Sequence, residues 1–583
     1  MVVQDIYDPL SEYVNVFQDR FRAVAEETFA ELAKDAHVDV EANRQTCQRI
    51  YAAQKEHDGA AAGVRRWTWL CAALWLCTVG IGGGIWYAYS EDVQSLELAA
   101  VGSVIIVLIA VFGITKVLPR LRELKDARDK LKDQIAQLKK EAWEQMTPLN
   151  RLYDWDVLTR MMTKTVPRLE FDPYFTTQRL ADLKEVYDWD ESFNDERSVL
   201  YAHSGLINGN PFVICRTRKM EWGARVYTGT KTIYWEEEEL DDEGNLRTQE
   251  YSQVLEATVT AQYPEYYEKT RLIYGNTAAP DLIFNRRQSD LASKEGTFSY
   301  KVEKHALRKK ARDLRGSDFA MMTNEEFEVA FNTSDRNSNQ QFALLFTPLA
   351  QESMLKLLKN RTAGYGDDFD FLKHKMINTI IPDHLQTLDL ETNPKQYHNF
   401  DYDKAQQDFY TINAQYFRAI YFSLAPLLCI PMYQQIRSHE DIYGQKKKKK
   451  KQRRSAYWEH EALANFWGED RFKHPDCVTQ CILKTEQYRS GKDTSIIVVS
   501  AHGYSVVTQL TYVEVWGDDG NCHDVPVYWD EYLPITGVGH INIREDDTED
   551  ASFTQSQRLE HISSVLNEEK YEVYRRHIAS KVV

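Results

Sequence analysis

The chain has little cysteine, no phosphate-cradling loop, no visible secretory leader and no excess of positive charge, and each absence narrows its chemistry. Eight cysteines in 583 residues do not make a disulfide framework. Cys47, Cys71, Cys77, Cys215 and Cys429 are scattered singly, and Cys477, Cys481 and Cys522 nearly so; that usage fits a reducing compartment. Lysine and arginine number 71 against 88 aspartates and glutamates, a net charge of −17, which argues against a general nucleic-acid coat and leaves room only for a local basic patch. The first residues, MVVQDIYDPLSEYV, carry acids where a secretory signal carries Lys and Arg, and no apolar core follows; no cleaved signal is expected. The glycine-rich stretch 79–89, VGIGGGIWYAY, offers no G-x-G-x-x-G, follows no predicted strand and precedes no polar helix, as a dinucleotide loop requires.

What is present is apolar length. Residues 67–89 carry no charge, and about 20 apolar residues let a helix cross a bilayer core. After an acidic loop with Glu91, Asp92 and Glu97, a second run, LAAVGSVIIVLIAVFGIT, is also uncharged. The sequence therefore predicts a transmembrane hairpin over 67–118, with spans 67–89 and 97–118. Trp67, Trp69, Trp86, Tyr87 and Tyr89 lie near the ends of the first span, as interfacial aromatics do. Arg65 and Arg66 precede the hairpin, and Lys116, Arg120, Arg122, Lys125 and Arg128 follow it. Positive residues stay inside, so the expectation is a cell inner (plasma) membrane protein with both termini cytoplasmic. Gly80 and Gly84 have the small-x3-small spacing that lets membrane helices approach closely. Their expected partner is the second span, through Gly102 and Gly113, or the same span of another copy.

Residues 1–66 read as a cytosolic helical region. Beyond the hairpin, Val117, Leu121, Leu124, Leu131, Ile135, Leu138 and Ala142 fall at steps of four and three once Arg128 is counted as a slot, predicting a coiled-coil-like stalk over 119–147. Its partner is either a second copy, giving a homo-oligomer, or the helices upstream of the first span. Pro119 is expected to kink its first turn.

A cytosolic α+β domain is expected over 150–440. RVYTGTKTIYWE and SQVLEATVTAQY, either side of the turn DDEGN, read as an antiparallel pair. QQFALLF reads as a buried strand, and Thr347-Pro348 as the N-cap and first position of a helix. DFDFLKHKMINTII reads as one strand ended by Pro382. The apolar stretch 416–432 is broken by Arg418, Pro426 and Pro431, and is expected to be a core or membrane-surface helix rather than a third span. The block EEFEVAFNTSDRNSNQQFALLFTPLAQESMLKLL followed by DFDFLKHKMINTII resembles a segment of uncharacterised bacterial two-pass membrane proteins, which carry a similar F-E-x-x-F … L-L-x-T-P pattern, a helix and a strand. The resemblance covers about a third of the chain. It implies an N-terminal pair of transmembrane helices before a cytosolic α+β domain, and a bacterial source. It brings no activity and no catalytic residues.

A basic linker, 441–456, contains Lys446, Lys447, Lys448, Lys449, Lys450, Lys451, Arg453 and Arg454. It reads as a solvated connector, as a contact for anionic lipid at the leaflet, or as a nucleic-acid backbone contact. A C-terminal β-rich domain, 457–583, begins with a helix (AYWEHEALANFW), continues as strands with a hairpin at the turn DDGN, and ends with RLEHISSVLNEEKYEVYRRHI, which reads as helical. His474, Cys477, Cys481 and His502 resemble a diluted zinc set, looser than paired Cys-x2-Cys units, with Cys522, His523 and His540 downstream. SAHGYS lacks a nucleophile-elbow pattern, RSGKDT lacks the upstream glycine of a phosphate loop, and Asp367, Asp368, Asp370 and His374 form at most a local acid/base group.

No cofactor is implied. The favoured expectation is a non-enzymatic, membrane-anchored, cytosol-facing scaffold or binding protein. The alternatives are a membrane-tethered metal-dependent hydrolase using the tail's His/Cys set, and nucleic-acid tethering by the lysine run.

Overall fold

A helix of 51 residues, α1 (Val40–Ser90), is the longest element of the chain, about 75 Å at 1.5 Å per residue. The structure is a computed structural model that describes residues 5–90, 96–240, 246–312, 319–438, 454–489, 494–546, 554–568 and 570–583. It is a mixed helix/sheet protein of two compact units: Glu27–Tyr153 with Pro394–Ile412, and Met1–Glu26 with Asp154–Asn393 and Asn413–Val583.

The first of these units is helical. Beside α1 run α2 (Leu96–Phe112) and, after a wide π-type turn at Gly113–Val117, α3 (Leu118–Asn150). Pro119 falls in the first turn of α3, directly after that wide turn. Its missing N–H breaks the regular ladder there, the physical reason a π turn is tolerated at this point. The pairing of α1 with α3 is antiparallel. Asn43 Nδ2 and Thr46 Oγ1 meet the Gln145 side chain at 3.2 and 3.1 Å, and further along Gly63 packs on Leu124. Val117, Leu121, Ile135 and Ala142 of the predicted seam are buried, as are Cys47, Ile50, Ala53 and Val64 of α1. The seam thus meets the upstream helix of its own chain. At the far end from the apolar runs, Arg44 clamps Asp403 with bonds of 2.8 to 3.2 Å, and Tyr51 donates to Asp401 at 2.5 Å.

The second unit is built on two antiparallel sheets. The larger has the order β1-β2-β3-β4-β7-β6-β5, and the smaller β11-β12-β10-β9-β8. Strands β1 (Leu169–Phe171), β2 (Arg197–Ile207), β3 (Asn210–Leu240), β4 (Leu246–Gly275), β5 (Ile283–Arg286), β6 (Phe369–His374) and β7 (Ile377–Pro382) form the first; β8 (Ile482–Arg489), β9 (Thr494–Trp516), β10 (Cys522–Glu545), β11 (Val573–Arg575) and β12 (Ile578–Val582) form the second. The predicted antiparallel pair is β3–β4, in unbroken register from Phe212↔Tyr274 to Leu240↔Leu246; the turn DDEGN lies outside the described residues. At 31 and 30 residues the two strands reach about 100 Å, far beyond the usual strand of five or six residues. The turn DDGN does join β9 to β10, Trp516 pairing with Cys522.

Three local expectations are corrected. QQFALLF is helix (Asn339–Leu345), because Ser338 accepts the Gln341 N–H as an N-cap and Phe342, Leu345 and Phe346 bury at helical spacing. DFDFLKHKMINTII is two strands, β6 and β7, turned at Lys375 with φ 55°; no glycine or asparagine marks that turn. The terminal segment is helical only at Gln555–Glu568, after which β11 and β12 turn back through Arg576 and His577, both at positive φ. The Thr347 cap does form, its Oγ1 accepting from Ala350 N at 3.4 Å at the start of α5 (Pro348–Lys359); α4 (Phe298–Arg312) precedes it. Residues 416–432 lie mostly in α6 (Tyr402–Leu428) and are core. Phe417 stacks on Phe21 at 4.2 Å, and Arg418 spends its charge on the carbonyls of Thr362, Ala363 and Gly364.

Residues on both sides of the basic linker belong to the same compact unit. The reason is α7 (Tyr457–Trp467), which lies between the sheets. Trp458 and Ala462 join the core against β2, β3, β4 and β7, while Leu463 and Ala464 join the core against β8, β9, β10 and β12. Its carboxylates are fully buried. Glu461 accepts from Val199 N on β2 at 3.0 Å and from Lys484 on β8 at 3.0 Å. Glu459 accepts from Phe175 N at 3.2 Å and from both Arg575 and Arg576 at 2.9 Å. Glu459 and Arg575 are 0% and 1% exposed, so loss of one partner leaves an uncompensated buried charge. Glu459→Gln is expected to destabilise this unit by roughly 3–5 kcal/mol, read as a lower denaturant midpoint for the detergent-solubilised chain; an unchanged midpoint would show that the ion pairs contribute nothing.

Candidate functional site

Two surfaces and three buried groups are the candidates, and they differ in what reaches them. The first surface belongs to α1 and α2. Trp69, Trp75 and Trp86 are 77%, 70% and 74% exposed, leaving roughly 450 Å2 of aromatic surface uncovered. Leu76, Val79, Val104, Val107, Leu108 and Ile114 are exposed with them. Both helices are long and apolar enough to cross a membrane. Monomeric proteins in water rarely leave such contiguous apolar area open.

Gly80 and Gly84 do not face the second apolar helix: nothing lies within 4 Å of a Cβ built on either. The small residue in that contact is Gly102, whose Cβ would stand 2.8 Å from Ile85 and 3.5 Å from Ile81. Ile81 and Ile85 follow Gly80 and Gly84 by one position, about 100° around the helix, so the glycine pair points elsewhere. Gly113 likewise has open space.

The second surface is a two-layer arm. Ile233, Leu255 and Ala257 of β3–β4 pack on Val525 and Val527 of β10, with Tyr227, Trp235, Val259, Val513 and Val515 around them. Gly229 admits the close approach: a Cβ there would stand 2.1 Å from the Pro526 carbonyl. Alternation along the strands leaves Tyr234, Val254, Tyr512, Trp516 and Tyr528 outward and exposed. Among the described residues, β3 has no partner on its outer edge beyond Lys219, nor β10 before Ile541, so the arm presents long unpaired edges.

The predicted metal set is only partly brought together. Cys477 and Cys481 have their sulfurs 3.7 Å apart, in space that Gly503 vacates; a Cβ there would stand 2.4 and 2.9 Å from them. Burial pushes the Cys481 thiol up to about 12. His474 takes the Asp476 N–H at 3.2 Å. His502 is one residue from Gly503 on β9, hence on the other face, and meets Thr536 at 3.1 Å. His523 pairs with Asp519 at 2.8 Å, and His540 lies 17 residues further along β10, about 55 Å away. Among the described residues, no three His, Cys, Asp or Glu side chains converge as a metal site would need.

The other chemical candidates are tied into structure. Asp367 pairs with buried Arg286, Asp368 with His384 at 2.5 Å, and Asp370 with Arg287 at 2.6 Å. SAHGYS lies mid-strand in β9, and β8 and β9 pair directly at Arg489↔Ser495, a strand–turn–strand rather than the strand–helix of a phosphate loop; residues 490–493 of RSGKDT lie outside the described residues. Lys446, Lys447, Lys448, Lys449, Lys450, Lys451 and Arg453 also lie outside them. Arg454 is described, its carbonyl accepting from Thr177 N at 2.8 Å.

Sequence reading missed the groups that titrate near neutrality inside the fold. Burial pushes Glu461 up to about 7 against the pull of Lys484, and pushes Lys373 down to about 7. Neutral amines of this kind serve as nucleophiles or bases where a substrate reaches them. Lys373 is 1% exposed, donates to the Lys375 carbonyl at 2.5 Å and sits 5.7 Å from the Tyr433 ring, so here the amine is sealed. No family model, curated protein or solved structure matches this chain.

Sealing gives Lys373 a measurable signature. Between pH 7 and the unperturbed 10.5, the unfolded chain keeps a proton that the folded chain has lost, so stability rises with pH across that window. Lys373→Met is expected to raise stability at pH 7 by on the order of 3–5 kcal/mol and to lose that advantage toward pH 10.5. Unfolding midpoints measured across the window check this; a pH-independent difference would mean the amine stays protonated in the fold.

Proposed function

We propose that this chain is a membrane-anchored scaffold or binding protein, held in the cell inner (plasma) membrane by α1 and α2 and presenting its sheet-rich unit to the cytosol. The observation that carries the reading is the exposed apolar surface of two adjacent helices bounded by charge. Within α1 the uncharged stretch begins after Arg65 and Arg66, and on the other helix it ends at Lys116, with Arg120 and Arg122 beyond. Water would oppose that surface, whereas a hydrocarbon core accepts it and the flanking cations fix which side stays inside.

The binding role rests on the arm. Its unpaired edges and outward aromatics suit recognition by strand addition, in which main-chain hydrogen bonds supply affinity and alternate side chains supply selectivity. A second copy of the chain meeting the open Gly80/Gly84 face would turn the anchor into an oligomer; that stripe is consistent with close helix approach.

The chain is expected to stay with membranes through alkaline carbonate washing. An impermeant thiol reagent applied to intact cells should label Ser95→Cys, and should miss both Ser564→Cys and the exposed native Cys522. Release by carbonate would overturn the anchor; labelling of Cys522 in intact cells would invert the orientation.

A further inference from the structure

The helix α4, FSYKVEKHALRKKAR, carries six Lys or Arg and one Glu in a chain of net charge −17. Thr297 caps it, its hydroxyl accepting from Tyr300 N at 3.4 Å. One face is anchored: Tyr300 and Leu307 bury with Leu291, Phe319 and Val329, and Ala311 packs against them. Lys304 and Arg308 are drawn sideways to Glu325 at 2.8 and 2.7 Å, and Lys310 reaches the Ser334 carbonyl at 2.7 Å.

The opposite face is different. Phe298, Val302, His305, Lys309 and Arg312 follow one another at steps of four, three, four and three, with Lys301 beside them, so they form one stripe. Phe298 is 84% exposed and Val302 50%. Among the described residues Lys301, Lys309 and Arg312 make no ion pair, and the helix's one acid, Glu303, lies off the stripe toward Asn332. An uncovered phenylalanine in line with three free cations matches the make-up of a helix lying in a membrane interface: the ring enters the acyl boundary while the cations sit on lipid phosphates. A nucleic-acid backbone would use the cations and leave Phe298 and Val302 in water.

We propose that the stripe Phe298–Lys301–Val302–His305–Lys309–Arg312 is a docking surface for an anionic bilayer, so that the sheet-rich unit touches the leaflet at a point separate from its anchor. This rests on the membrane-anchored reading for its setting. It differs from that reading in needing anionic headgroups, which the apolar helices do not.

The test uses the full chain with a benzophenone amino acid in place of Phe298, assembled into nanodiscs of phosphatidylcholine alone or mixed with phosphatidylglycerol. Irradiation should yield lipid adducts on the peptide containing position 298 in the mixed discs. The adducts should be lost in phosphatidylcholine discs and in the triple variant Lys301→Gln, Lys309→Gln, Arg312→Gln, whose thermal unfolding should match the parent. Three results overturn the proposal: no adduct in mixed discs that do contain the protein, equal adducts in both compositions, or adducts displaced to a single-stranded RNA added alongside mixed discs. Failure of the chain to enter discs sinks the anchor reading alone, and the same crosslink then decides the surface on vesicles of the two compositions.

Discussion

Everything in the sheet-rich unit depends on a helix that carries charge into the core. Helix α7 places Glu459 and Glu461 where no water compensates them, and each carboxylate is completed by groups from different directions. Glu461 is shared between Val199 of the larger sheet and Lys484 of the smaller. Polar ends of the same helix repeat the arrangement: Asn465 donates to Val199 O at 2.8 Å, and Trp467 to Ser580 on β12 at 3.1 Å. Apolar packing alone would let two sheets slide over a helix, since burial is nearly indifferent to register. Directional bonds to both sheets remove that freedom, because a shifted register would leave a buried charge unpaired. The turn at Arg576 and His577 fits the same logic. Its positive φ at two residues with side chains is unfavourable, and Arg576 is held there by Glu459 and the Ala202 carbonyl.

That fixed base is what allows the arm to be long. Two ribbons of this length would be marginal as isolated hairpins, but face to face they bury Ile233, Leu255, Val525 and Val527 in a shared layer. Side-chain bonds, from Lys231 to the Asp524 carbonyl at 3.1 Å and from Asp518 N to Gln253 at 2.8 Å, set where the shorter ribbon ends along the longer one. The arm consequently leaves outer edges unpaired without unravelling, the condition under which an edge can be used for recognition rather than lost to aggregation.

How much of this was legible follows from the range of the interactions. The apolar runs, the seam of α3, the Thr347 cap and the hairpin turn DDGN are one-dimensional signals: composition, period and local hydrogen bonding decide them. Gly80 and Gly84 were legible as a spacing but not as a direction, since a rotation of one residue puts Ile81 and Ile85 at the contact instead. The helix WEHEALANFW was recognised as a helix, yet its Glu459, His460 and Glu461 look like a solvent face; only partners more than a hundred residues away in sequence, such as Arg575 and Val199, make that face core. The turns at Lys375 and at Arg576–His577 carry no glycine, and so no local mark. Of the predicted His/Cys set, the sequence spacing brought two sulfurs together, while strand alternation sent His502 to the opposite face.

Net charge is the weakest guide of all to where such a chain meets a membrane. At −17 the whole molecule would be repelled by an anionic leaflet, but at physiological ionic strength charges separated by more than about 8 Å are largely screened from one another. A leaflet therefore senses the few side chains nearest to it, not the sum. On α4 the carboxylate of Glu325 occupies Lys304 and Arg308 to one side, and the cations left over share a stripe with Phe298. Local arrangement, set by which residues the core claims first, decides the sign that a surface presents.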